Sequence, residues 1–205
     1  MTTHTYAELR IPEARRLADL TGISSDLARA SDLASRILKG FETEKPEWDL
    51  IEPFSIAIVV SYSRPFATGV RHRLSEVDLA ILDERERAAH ERLRAYRDKH
   101  FAHSVNSYEQ NVPHASYAEG RAHVEGFHAI SCVSNRVAGI SRAELADVVA
   151  LAEKLGSHVH AMMAEEQQRL LKIVRAMPVD DLLAGGQAPF KGGDGPINKP
   201  RASPF

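Results

Sequence analysis

Leu79-Ala80-Ile81-Leu82-Asp83-Glu84-Arg85-Glu86-Arg87-Ala88-Ala89-His90-Glu91-Arg92-Leu93-Arg94-Ala95-Tyr96 carries the clearest periodicity in the chain. Leu79, Leu82, Ala89, Leu93 and Tyr96 recur at steps near three and four, interrupted by Glu86. That spacing makes a narrow apolar seam along one side of a helix, suited to packing against another helix. Ser75 is placed to cap this helix, Glu76 and Asp78 suit its positive end, and no Gly or Pro interrupts it before about His103. Between Arg71 and Lys99 eight basic residues stand against seven acidic ones. Most of that charge reads as a solvated face, with Asp83 and Arg87 as a supporting i,i+4 pair. A charged helix with so narrow a seam needs helical partners.

Those partners are legible on both sides. Upstream, Pro12 fits a first helical turn, Glu13 to Leu20 runs helical, and Thr21-Gly22 reads as a stop. Ser24 or Ser25 then caps a second helix with Leu27, Ala30, Leu33 or Ala34, and Ile37 on one side, ended by Gly40. Trp48 to Tyr62 follows the Lys45-Pro46 break, but its run Ile56 to Val60 fits a buried strand as well as a helix. Downstream, Ser104 to Ile140 is rich in Pro, Gly, Asn and Ser, and predicts a small β-hairpin insertion. Its strands are expected at Ala122 to Val133 and Arg136 to Ile140, flanking Ser134-Asn135. Ser141-Arg142-Ala143-Glu144 is a capping box opening a long helix to about Met177, closed by Pro178. Leu145, Val148, Ala152, Leu155, Val159, Met162 and Ile173 lie on its seam. The expected fold is mainly α: an antiparallel helical bundle in one domain over 1–178, with a disordered tail over 179–205.

The composition narrows the function. The chain has 205 residues, 43% hydrophobic and 26% charged, enough for a real core without staples. Its longest aliphatic run, Ile56 to Val60, is far short of a membrane span of ~20 residues. No secretory leader pattern opens the sequence, so a soluble, cytoplasmic protein is expected. The single cysteine, Cys132, excludes an internal disulfide and a Cys-rich zinc site, and reads as a buried, inert thiol. A net charge of −2 argues against gripping long stretches of duplex, which takes a basic excess. Nucleic-acid contact would be confined to a focused site.

The segment Tyr96-Arg97-Asp98-Lys99-His100-Phe101-Ala102-His103 is where chemistry concentrates. Continued past Tyr96 at the same spacing, the seam reaches His100 and His103, where a purely structural helix would carry Leu or Ala. A partly buried imidazole beside Arg97 has its pKa drawn toward or below neutrality, which suits proton transfer. An Arg can hold a phosphate through paired hydrogen bonds and stabilise charge on its oxygens. The plainer reading is that helix C-terminal histidines are favoured by the dipole alone, and that Arg97 and Asp98 form surface ion pairs.

Arg97-Asp98 followed by Ala102-His103 resembles the signature of the HEPN superfamily (higher eukaryotes and prokaryotes nucleotide-binding domain): Arg, a polar residue, then His after four to six residues. The string is especially similar to helical HEPN proteins of the abortive-infection type, and Tyr62-Ser63-Arg64-Pro65-Phe66 resembles what precedes their motif helix. The resemblance covers about Ile56 to Ser104. It implies a helical bundle pairing into a homodimer, with two Arg/His sets in one cleft. It implies a metal-independent endoribonuclease, a toxin or antiphage effector, without a cofactor. His103 would move protons at the ribose 2′-hydroxyl or the leaving oxygen, Arg97 would steady the scissile phosphate, and Asp98 would orient its neighbours. Lys99 and His100 are the expected substrate-binding residues. RNA is the expected partner, with a nucleotidyltransferase-type antitoxin as a second. Other members of the family are non-catalytic nucleotide- or RNA-binding or assembly modules, which is the alternative.

A third class, a metal-binding bundle, would rest on His100 and His103 with Glu91 or Asp98, but no familiar ligand spacing supports it. His158 and His160 are i,i+2 and point to different sides of a helix. They read as structural or exposed, as do His123 and His128. Met162-Met163 reads as core filler.

Overall fold

The computed structural model describes residues 8–43, 48–69, 71–98, 109–117, 127–136 and 139–184. Its elements are α1 (Arg15–Gly40), α2 (Trp48–Ser63), α3 (Glu84–Tyr96), β1 (Glu109–Tyr117), β2 (Phe127–Arg136), α4 (Arg142–Ala176) and α5 (Val179–Ala184). Short 3-10 turns precede α1, follow α2 and precede α3. The chain is mainly α-helical with one small antiparallel sheet, and the ambiguous stretch after Trp48 is helix.

The core lies along α1 and α4. Leu20, Ile23, Leu27, Ala30, Ala34 and Ile37 alternate steps of three and four on α1, all buried. Leu145, Val148, Ala152, Leu155 and Val159 do the same on α4, joined by Leu151. Burying each large side chain contributes roughly 1.5–3 kcal/mol. Polar contacts fix the direction of the pair. Ser24 meets His160 at 3.1 Å, and Arg169 donates to the carbonyl of Glu13 at 2.7 Å, so the two helices run antiparallel. Ile58, Val59 and Tyr62 of α2, with Leu79, Leu82, Ala89 and Leu93, complete the core.

Three boundaries differ from the sequence expectation. Thr21-Gly22 does not stop a helix, and Ser24 and Ser25 cap nothing: α1 is continuous. Leu20 and Ile23 are fully buried on either side of Gly22, and that packing overrides a Gly penalty of about 1 kcal/mol. The hydroxyls of Thr21 and Ser25 bond back to the carbonyls of Leu17 and Thr21, leaving no cap free. The absent side chain also lets Arg71 lie on the helix, where a Cβ on Gly22 would come 3.0 Å from its Nη1. Arg71 and Arg64 together hold the buried Asp26 carboxylate at 2.8 and 3.1 Å, tying the segment after α2 to α1.

The second difference is that the charged helix does not begin at Ser75. Asp78 accepts from both the backbone N–H and the hydroxyl of Ser75, closing a short turn over Asp78–Ile81. Leu82 is extended, and Asp83 caps α3 in a reciprocal box with Glu86. Asp83 is therefore not paired with Arg87, which reaches back to Glu76 at 2.6 Å. The third is the hairpin. It forms, but β1 begins at Glu109, and Ser134-Asn135 lies within β2, opposite Asn111 and Gln110, not at a turn. The long final helix has its expected limits within a residue, and its box between Ser141 and Glu144 is formed. Part of the expected tail is ordered: α5 follows Pro178, and residues 185–205 lie outside the described ones.

Candidate functional site

Helix α3 leads directly into the first two residues of the candidate motif, and α4 holds it at both ends. Lys154 donates to the Glu86 carboxylate at 2.6 Å near the start of α3. Tyr96 donates to Glu144 at 2.8 Å at its end. Since Glu86 precedes Tyr96 while Lys154 follows Glu144, the helices are antiparallel. Asp147, between these points on α4, is shared by Arg85 and Arg92, each at 3.3 Å. Burial pushes the Glu144 carboxyl up, but hydrogen bonds from Ser141 and Tyr96 and the nearby Arg92 outweigh it and leave it below its ordinary range. It stays ionised at neutral pH and anchors the end of α3.

Immediately beyond Tyr96 the backbone takes the wider π form at Arg97 and Asp98, a local form common at functional sites. The two side chains are about half exposed, and Arg97 Nη1 lies 2.7 Å from Asp98 Oδ1. An exposed pair of this kind is worth ~0–1 kcal/mol, so the guanidinium is easily released to another anion. Lys99, His100 and His103 lie outside the described residues, so Arg97 and Asp98 are the part of the predicted set whose placement is described.

A strongly perturbed buried pair contains a residue the sequence reading passed over, His90. His90 is buried one turn before Leu93, with its Nδ1 2.9 Å from the Tyr62 hydroxyl. Its ring meets Phe66 edge-on at 4.6 Å and Tyr62 at 5.8 Å. Burial, helped by Arg94 and Arg87, lowers His90 to about 4, and burial raises the Tyr62 hydroxyl well above its usual range. Both are neutral at pH 7 and closed off from solvent, so this pair organises the core rather than transferring protons to a ligand. The sequence signal was available: His90 is i,i+3 with Leu93, and a seam one residue wider takes it in.

The remaining candidates resolve individually. His158 lies 3.2 Å from Asp78 and His160 reaches Ser24, on different sides of α4 as expected. Cys132 is exposed on β2, not buried, because none of the hairpin residues whose burial is described is buried. No group of three or more His, Cys, Asp or Glu able to hold a metal occurs among the described residues. None of their helices is long and apolar enough to cross a membrane. Comparison with family models, with curated proteins and with solved structures finds no match to this chain.

Proposed function

We propose that this chain is a metal-independent endoribonuclease of the HEPN type, acting in the cytoplasm as a toxin or antiphage effector. Two copies would bring their Arg97 and His103 together in one cleft. In the proposed reaction His103 takes the proton of a ribose 2′-hydroxyl and O2′ attacks the adjacent phosphorus. The bond to the 5′-oxygen breaks, and that oxygen receives a proton from the second His103. Arg97 holds the non-bridging oxygens, Asp98 orients Arg97, and Lys99 and His100 bind the neighbouring phosphate and base. The products carry 2′,3′-cyclic phosphate and 5′-hydroxyl ends. A nucleotidyltransferase-type antitoxin is the proposed regulator.

The observation that supports this reading is the setting of Arg97. It is half exposed, one residue past a helix end pinned by Tyr96 to Glu144, and its partner among the described residues is an exposed carboxylate. A guanidinium so placed is positioned yet available, as phosphate recognition requires. A focused site also agrees with a net charge of −2. The test compares wild type, Arg97→Ala and His103→Ala on a mixed RNA pool in EDTA, with product ends mapped and folding followed by circular dichroism. Cyclic-phosphate ends from wild type alone are expected. Equal cleavage by all three variants sinks the assignment, and RNA binding without turnover supports the non-catalytic alternative.

A further inference from the structure

Four arginines lie on α3 and a fifth follows at once. Most of them are matched to a carboxylate. Arg85 and Arg92 share Asp147 on α4, Arg87 takes Glu76, and Arg97 takes Asp98. Arg94 is exposed and has no carboxylate partner among the described residues. Glu91, three residues earlier on the same helix, forms no ion pair with it there. The neighbouring groups do not supply the missing charge. Burial first, then Arg94 and Arg87, keep His90 neutral, and at Tyr62 burial dominates while Arg94 opposes it. Both are uncharged at pH 7, so neither balances a guanidinium. Glu76 is committed to Arg87, whose hydrogen bond is the main cause of its lowered pKa, with Arg94 adding the least.

The backbone fixes Arg94 beside the candidate site. The Arg97 N–H bonds to the carbonyls of Arg94 and Leu93, and helical residues three apart have Cβ atoms about 5–6 Å apart. Tyr96, between the two arginines, ties the same turn to Glu144. Two guanidiniums therefore stand as neighbours at the pinned end of α3. One rests on an exposed carboxylate, and the other is unmatched by any described residue. Like charges so placed repel each other, and anions drawn from solution relieve that repulsion.

We infer that Arg94 is a second phosphate-binding residue of the proposed site, holding the phosphate next to the one on Arg97, so that single-stranded RNA is engaged at successive phosphates. This rests on the reading that Arg97 meets RNA phosphate, and it adds a residue outside the 97–103 motif. A guanidinium grips a phosphate through paired, charge-assisted hydrogen bonds, which an unmatched Arg can make without first giving up a partner. Arg94 binds the strand and takes no part in the chemistry, since the scissile phosphate belongs to Arg97. A duplex is a poor ligand for this surface, because gripping one takes a basic excess and the chain carries a net charge of −2. Neighbouring cations at one helix end suit a short stretch of one strand.

The experiment measures binding of the full chain to a fluorescent 2′-O-methyl oligouridylate, whose capped 2′-oxygen blocks cleavage, in EDTA over a series of salt concentrations. Arg94→Ala should weaken binding about tenfold. It should also reduce the steepness of log affinity against log salt by about 0.7, the value of one phosphate contact on a single strand. Arg94→Lys should keep the steepness. Arg92→Ala removes the same charge from the same helix, but one already matched by Asp147, and should change neither quantity. On unmodified RNA, Arg94→Ala should raise KM and leave kcat unchanged, which marks lost binding rather than lost chemistry. Equal losses from Arg94→Ala and Arg92→Ala overturn the proposal. Binding that falls in Arg97→Ala but not in Arg94→Ala overturns it while leaving the reading of Arg97 intact. Binding that needs both arginines, with no cleavage of unmodified RNA, supports it and removes the ribonuclease instead. No binding by the wild type overturns both.

Discussion

The α1–α4 pair and the β1–β2 hairpin are held together by different means. In the bundle, Leu20, Ile23, Leu145 and Leu155 are removed from water completely, and polar groups such as Glu166 and Asp26 are buried only against arginines. In the hairpin no residue of described burial is buried, and the cross-strand backbone ladder is the main tie. An isolated two-stranded hairpin is marginal in water. Stability therefore resides in the bundle, while the described residues of the hairpin contribute exposed surface. The same division explains why substitutions of equal chemistry should differ in effect between the two.

The largest contrast comes from truncation. Leu155→Ala in the bundle should lower unfolding free energy by about 2–5 kcal/mol, measured by urea denaturation. A loss under 1 kcal/mol would mean that the α1–α4 seam is not the core.

Acid provides the next test, again confined to the bundle. Burial holds His90 at about 4 in the folded chain, against 6.5 for an ordinary histidine in the unfolded chain. Above pH 6.5 neither state is protonated and His90 contributes no pH dependence. As pH falls from 6.5 toward 4 the unfolded chain takes up a proton that the folded chain refuses, so stability declines, by at most about 3 kcal/mol. The lowered carboxylates Asp78, Glu144 and Glu166 add their losses as pH falls below their ordinary range. His90→Gln should flatten the wild-type slope between pH 6.5 and 5 in thermal melts, and an unchanged slope contradicts a buried neutral imidazole.

A smaller effect is expected where the chain passes from the hairpin to α4. A Cβ on Gly139 would stand 2.7 Å from Ser55 Oγ and 2.8 Å from Ile51 Cγ2, and the neighbouring Ile140 N–H donates to that Ser55 hydroxyl. Gly139→Ala should cost about 1–3 kcal/mol through this overpacking, whereas Gly22→Ala meets only the movable end of Arg71 and should cost less. Equal costs at the two glycines would remove the distinction. The smallest change belongs to the hairpin: Val133→Ser should alter the unfolding free energy of the monomer by about 0.5 kcal/mol or less.

The sequence was most readable where local signals and packing agree. Helix α4 has a capping box at Ser141 and Glu144, an unbroken seam and Pro178 after it, and its ends are found within a residue. Helix α3 was expected to start at Ser75 but starts after Asp83. Asp83-Glu84-Arg85-Glu86 is itself a box, and it prevails because Ser75 is occupied by Asp78. The stop expected at Gly22 fails because tertiary burial of Leu20 and Ile23 is invisible to a local rule. The hairpin was expected in the right part of the chain but with the wrong strands, since Ser134 and Asn135 resemble turn residues while serving on β2. Of the candidate site, Arg97 and Asp98 lie exposed just past the end of α3, whereas the periodicity carried the helix on to about His103. His90 escaped notice because a narrow seam excludes it, and Cys132 was misjudged because lone cysteines are usually buried.

The contact between Tyr96 and Glu144 has an architectural consequence. At 2.8 Å it joins the residue that ends α3 to the first turn of α4, so the chain departs from and returns to nearly the same point. Everything between them is, topologically, a cassette. Closing such a gap depends only weakly on the length of what fills it, roughly 0.6 kcal/mol for each doubling. Exchanging residues between Asp98 and Gly139 for a short linker, or for another hairpin, should therefore leave the four-helix scaffold standing.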